Sequence, residues 1–276
     1  MMAARQLSTL MLLCLFLAAQ LALCDARQSQ TTHVSDLLFS KVDLVDFRKK
    51  PVYATYLNLT QFFYPDTTLA ECADPTPKLP AIDEFLESVF NTRVFQLGWD
   101  FLRSRGIFLG SRTQVLGQLQ RLWFACVARD GVMSSSGFEH VMLGEQHYGV
   151  ALGLHNWLTF YLLEKRGQIN YFGYFDKVEE RLVTIQYSWN STRKPIGGFF
   201  LNTSPAFDFT LYTICHFLHP NSNRCRFSRG GQRYAIQSST KRCATSQGGV
   251  CIGTAYPMLC PTDGACCSRL FCLRQL

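Results

Sequence analysis

Ser136-Gly-Phe-Glu-His-Val-Met-Leu-Gly-Glu-Gln-His147, followed after five intervening residues by Gly153-Leu-His-Asn-Trp157, marks the point where the chain changes texture. Upstream, Ile82, Phe85, Leu86, Val89 and Phe90 recur at i, i+3, i+4, i+7 and i+8, which is one buried helical face. Val115, Leu116, Leu119, Leu122, Trp123 and Cys126 repeat that spacing, and a proline-rich connector from Cys72 to Pro80 precedes both runs. Ser134 to Ser136 reads as a serine-rich turn after Asp130-Gly131. Downstream, Leu154, Trp157, Leu158, Tyr161 and Leu162 predict one more amphipathic helix, with His155 in its first turn and Gly167 as its stop. Strands are then predicted over 169–175, 182–189 and 196–201. Ser204 caps a helix that Pro205 opens and that runs to about His219; short strands and cysteine-tied loops fill the remainder. Helices in front and a helix-interrupted, mainly antiparallel sheet behind imply an α+β fold.

The ends of the chain speak to its compartment. Leu10 to Leu23 is an apolar run of fourteen residues broken only by Gln20, and small residues follow it. That is too short to span a bilayer comfortably, so residues 1–26 read as a signal peptide, with an uncleaved anchor as the rival. Removing Cys14 and Cys24 leaves ten of the twelve cysteines, an even number that implies disulfides in an oxidising compartment, with the pairing open. No C-x₂-C pair suggests zinc. Asn58-Leu-Thr60 and Asn190-Ser-Thr192 are glycosylation acceptors, and Asn202 matches the pattern ahead of Pro205. A secreted, soluble protein follows, divided as 1–26 leader, 27–130 helical lobe, 131–257 second lobe and 258–276 cysteine-rich tail. A hydrophobic fraction of 47% and an aromatic fraction of 13% describe a folded chain, not a disordered one. The formal charge of +7 suits a polyanionic partner, and equally suits a protein that merely stays soluble.

Of six histidines, His33 lies near the mature N-terminus, and His216 and His219 belong to an apolar helix and its end, where packing explains them. His147 reads as a bystander. His140 and His155 are the informative pair. A helix N-terminus disfavours imidazolium, which would keep His155 neutral and able to accept a proton. Glu139 and Glu145 flank His140, and a nearby carboxylate favours its protonated form. Opposed tendencies in two imidazoles suit acid–base catalysis, although such pairs also bind metals or simply pack.

The words themselves narrow the choice. Ser136-Gly-Phe-Glu-His-Val-x-x-Gly-Glu145, Gly153-Leu-His-Asn-Trp157, Trp189-Asn190 with Lys194-Pro195, Ser204-Pro-x-Phe207 with Leu211-Tyr-Thr-Ile-Cys215, and Thr254-Ala-Tyr-Pro257 stand in one order. Together they resemble the EndoU/XendoU endoribonucleases, relatives of the coronavirus uridylate-specific endoribonuclease. The likeness is clear from about 130 to 257. It implies that His140, His155 and Lys194 are catalytic, that Glu139 and Glu145 are required acids, and that Thr254 and Tyr256 line the nucleotide site. It also implies cleavage of single-stranded, U-rich RNA 3′ of uridylates to 2′,3′-cyclic phosphate ends, with stimulation by Mn²⁺. No tight ligand cluster is visible in the sequence, so Mn²⁺ enters by resemblance alone, through Glu139, Glu145 or the RNA phosphates. A monomer is expected.

Two departures stand out. Relatives commonly carry a serine a few residues after the lysine, whereas this chain has Gly197-Gly198, and the cysteine-rich tail lies outside the family core. One alternative is an inactive EndoU scaffold that binds extracellular RNA or a host factor; retention of both histidines, Lys194, Thr254 and Tyr256 argues against it. A hydrolase of another kind would need a nucleophile setting such as G-x-S-x-G, which is absent.

Overall fold

The computed structural model describes residues 37–39, 42–71, 76–179, 181–229, 231–244 and 249–260. The leader, His33, Cys72 with the start of its connector, and most of the C-terminal tail lie outside these residues. The described residues from Leu37 onward belong to one compact unit, and the fold is α+β.

Among the described residues five α-helices come first: α1 (Leu44–Arg48), α2 (Pro51–Leu59), α3 (Leu79–Phe90), α4 (Arg93–Arg103) and α5 (Arg112–Phe124). Their starts follow local chemistry. Proline opens α2 and sits in the first turn of α3, where its missing N–H costs nothing. Ser111 and Gln114 form a reciprocal capping box on α5. All five residues of the periodicity read in α3 are buried. In α5, Val115, Leu119, Leu122 and Trp123 are buried, whereas Cys126 has already left the helix for a strand.

Strands β1 (Cys126–Arg129) and β2 (Val132–Ser136) form a hairpin around the Asp130-Gly131 turn. The serines expected to be a turn are therefore strand. They are buried on a ladder, and composition alone does not reveal that pairing. The second lobe continues with a π-helical turn (Glu139–Leu143), β3 (Glu145–His147), β4 (Val150–Leu152), α6 (Trp157–Lys165), β5 (Ile169–Val178), β6 (Leu182–Trp189) and β7 (Thr192–Phe200). Helix α7 (Pro205–Leu218), capped by Ser204 as read, precedes β8 (Ser222–Arg229), β9 (Gln232–Cys243) and β10 (Gly249–Leu259). Besides the β1-β2 hairpin, one sheet runs β3-β4-β7-β6-β5, with only β4 and β7 parallel, and another runs β10-β9-β8 and is antiparallel.

The helical lobe holds the second lobe through aromatic packing. Phe138 is fully buried, its ring 4.7 Å from Phe124 and 5.4 Å from Phe85, and Phe85 lies 5.6 Å from Phe209 of α7. Trp123 stacks on Phe209 at 4.5 Å and donates to the Thr213 hydroxyl. Phe138 thus anchors the turn that carries Glu139 and His140. Disulfides Cys215–Cys225 and Cys243–Cys251 tie α7 to β8 and β9 to β10; Cys126 and Cys260 are disulfide-bonded as well. Among the described residues no helix is long and apolar enough to cross a membrane.

Candidate active site

The two quoted stretches meet backbone to backbone. Leu154 N–H donates to the His140 carbonyl at 3.0 Å, and His155 N–H donates to that of Val141 at 2.7 Å. Gly153 permits this approach: its φ is +61°, and a Cβ there would lie 1.7 Å from the His140 carbonyl oxygen. The π-helical turn closes with Gly144 N–H donating to the Glu139 carbonyl at 2.8 Å, a five-residue step.

His155 is not inside the helix, as the periodicity implied, but immediately before its cap. Asn156 is the cap; its side-chain oxygen accepts from the N–H groups of Leu158 and Thr159, and its Nδ2 donates to Asp208 at 2.9 Å. His155 is 5% exposed, and its Nδ1 lies 2.9 Å from the Gly198 carbonyl oxygen. A carbonyl only accepts, so Nδ1 carries the proton and Nε2 keeps a lone pair. Burial, with the Lys194 charge adding to it, pushes His155 well below the ordinary 6.5. The direction agrees with the neutral His155 read from the sequence, and desolvation leads, with the Lys194 charge behind it.

His140 makes its protein contacts through Nδ1, 2.8 Å from Glu145 Oε2 and 2.7 Å from Arg129 Nη2. That leaves Nε2 for the cleft. Arg129 also pairs with Glu145 at 2.9 Å, and the Ser135 hydroxyl donates to the other carboxylate oxygen. Glu145 is fully buried; burial would raise it, but His140, Arg129 and Ser135 prevail and bring it from 4.5 to about 2. Burial lowers His140, Glu145 opposes, and Arg129 and Lys194 lower it further, for a net fall. The expectation that a carboxylate would leave His140 raised is thus corrected: dehydration and two cations outweigh one anion.

Lys194 stands on β7 beside a bulge. Ile185 pairs with Gly197 and Tyr187 with Lys194, so Pro195 and Ile196 together face Gln186 alone. The lysine is 8% exposed, and burial, partly offset by Glu145, lowers it from 10.5 to about 8. A second bulge, at Gly253, precedes Thr254 and Tyr256, and the Tyr256 ring lies 4.9 Å from that of His155. His140, His155, Lys194, Thr254 and Tyr256 line one cleft of about 310 Å³, together with Thr184, Gly197 and Gly198.

The family carrying the description Endoribonuclease XendoU matches residues 19–257. The chain belongs to the XendoU endoribonuclease family. Uridylate-specific endoribonuclease C of Xenopus laevis is 34% identical over 234 residues, covering 83% of this chain and 76% of the relative. The poly(U)-specific endoribonuclease of Xenopus tropicalis is 34% identical over 236 residues, covering 82% and 78%. A solved structure, "The structure of XendoU: a splicing independent snoRNA processing endoribonuclease", matches with a TM-score of 0.67 at 32% identity, over 85% of this chain and 88% of that one. The α+β fold of this XendoU member is thereby that of its solved relative.

Two expected residues sit differently from the rest. Glu139 does not line the cleft or touch the His140 ring. It lines two other cavities, one Oε1 buried without a partner among the described residues, and burial followed by the Glu71 and Glu145 charges raises its carboxyl well above 4.5. Mn²⁺ finds no donor set either. Glu145 is committed to Arg129, His140 and Ser135, and among the described residues no three His, Cys, Asp or Glu side chains gather to hold an ion. The described residues therefore do not fit a resident metal. His147 pairs with Thr67 and Asp130 outside the cleft, as a bystander would, and His216 is buried and lowered to about 4. Arg129 went unread in the sequence because one arginine before a turn has neither period nor motif.

Proposed function

We propose that this chain cleaves single-stranded RNA 3′ of uridylates by transesterification. His155 Nε2 takes the proton of the 2′-OH while O2′ forms its bond to phosphorus. The bond from phosphorus to O5′ breaks, and His140 Nε2 gives its proton to the departing oxygen. The Lys194 ammonium offsets charge growing on the non-bridging oxygens. The products are a 2′,3′-cyclic phosphate and a 5′-hydroxyl, and water exchanges the two protons back. The attack is intramolecular, so placement of the groups supplies much of the acceleration. The single observation carrying this reading is the Gly198 carbonyl on His155 Nδ1, which leaves the opposite nitrogen as a base in the cleft that His140 and Lys194 share. Arg129 and Glu145 serve as positioning residues for His140.

The same reading has the chain exported behind a cleaved leader, glycosylated and monomeric. Any Mn²⁺ stimulation acts through the RNA phosphates. The test incubates the secreted protein with short RNAs, with Mn²⁺ or with EDTA, and weighs the product ends. Cyclic phosphate ends in both conditions are expected. Cleavage at a site whose 2′-OH is replaced by hydrogen would overturn the mechanism, and RNA binding without cleavage would leave the inactive-scaffold alternative.

A further inference from the structure

Resting on that reading, we propose that Thr184 reads the base 5′ of the cut, and that the Gly197-Gly198 floor makes this chain accept cytidylates as well as uridylates. His140, His155 and Lys194 are occupied with the phosphodiester. Of the other residues lining the cleft, only Thr184, Thr254 and Tyr256 bring a polar side-chain group. The family resemblance accounts for the last two and leaves Thr184 without a role.

Thr184 stands on β6 directly opposite Gly198. A Cβ on Gly198 would lie 3.5 Å from the Thr184 hydroxyl oxygen, so the missing side chain leaves that oxygen uncovered. Gly198 is also the residue whose carbonyl holds His155. His155, Gly198 and Thr184 line the same cleft, so a base whose ribose presents its 2′-OH to His155 Nε2 shares that cleft with the Thr184 hydroxyl. Among the described residues the Thr184 hydroxyl has no hydrogen-bond partner, which leaves it to whatever enters the cleft.

A hydroxyl both donates and accepts. It accepts from the N3–H of uracil and donates to the bare N3 of cytosine by a turn of one bond. Nothing across from it fixes that rotation, because residue 198 has no side chain. Purines carry their Watson–Crick edge farther from the sugar and overshoot the same oxygen. The site is thus a pyrimidine reader with weak preference between its two bases.

The experiment measures kcat/KM on four short RNAs with one cleavable site each, differing only in the base 5′ of the cut. The wild-type protein should cut after U and C within about ten-fold of each other. Thr184→Val, which keeps the shape and suits a strand, should lower both pyrimidine values about five-fold, mainly through KM, and leave the purine values unmoved. Gly198→Ser should change the U-to-C ratio by about five-fold or more, because the new hydroxyl restrains the rotation of Thr184. Ratios cancel any uniform loss from a disturbed fold. An equal loss at all four bases in Thr184→Val, or a wild-type U-to-C ratio above about ten-fold, would overturn the proposal. If the wild type cuts RNA and neither variant moves a ratio, the proposal falls while the function reading stands; if it cuts no RNA, the function reading falls first.

Discussion

Replacing Glu145 by glutamine keeps its shape and the Ser135 contact but deletes a buried charge that Arg129 and His140 both face. Folding brings this carboxyl from 4.5 to about 2. At 1.36 kcal/mol per pH unit, that is worth roughly 3 kcal/mol of stability. Because the folded value is the lower one, the contribution is complete above about 4.5 and disappears as pH falls through about 2. Glu145→Gln should therefore lose about 3 kcal/mol at pH 7, or about 6–12 °C of Tm for a domain of this size. At pH 3 the difference between the two proteins should shrink to about 1.4 kcal/mol. Guanidinium unfolding followed by tryptophan fluorescence, with disulfides intact, measures it at both pH values. A difference below about 1 kcal/mol at pH 7, or one of equal size at pH 3, would refute the assignment of Glu145 as the ionised partner of Arg129.

Loss of the base or the acid, His155→Ala or His140→Ala, should lower kcat by about 10²–10⁴-fold with a cooperative unfolding transition retained; full activity in either would remove that residue from the mechanism. The active form needs His155 neutral, His140 protonated and Lys194 protonated, and all three sit below their ordinary values. Log kcat/KM should accordingly fall with a slope of about −1 above the lowered His140 value and about −2 above about 8, where Lys194 also loses its proton. In Lys194→Arg the second break should vanish, since guanidinium stays charged. Phe138→Ala should cost about 3–5 kcal/mol in denaturant unfolding, because the ring fills a fully buried site between Phe124 and Phe85.

Much of this was legible because it is written in local signals. The bounds of β6 fall where alternation and turn residues set them, and α7 begins at Ser204-Pro205 because cap chemistry needs only adjacent residues. Three of the catalytic candidates and both nucleotide-site candidates share one cleft. What stayed hidden depends on residues far apart in sequence. The contact of Gly153 with the His140 carbonyl, the capture of His155 by Gly198 and the reach of Arg129 to Glu145 arise only once strands pair. The bulges on β7 and β10 are equally silent, since an extra residue in a ladder has no composition of its own. Helix α6 starts later than its apolar stripe because Asn156, not the stripe, decides where helical hydrogen bonding begins.

The extra residue at Gly253 acts as a parity bit for the strand it interrupts. Side chains alternate sides along a ladder, yet Ile252 and Thr254, two apart, face the consecutive residues Thr240 and Ser239 and so fall on opposite sides; beyond the bulge, losing one paired residue such as Ala255 would turn Tyr256 away from the cleft. Insertions at hairpin tips leave this count untouched. Divergence among such enzymes can therefore lengthen loops freely, while a single-codon deletion at Ala255 turns Tyr256 out of the binding wall without altering it.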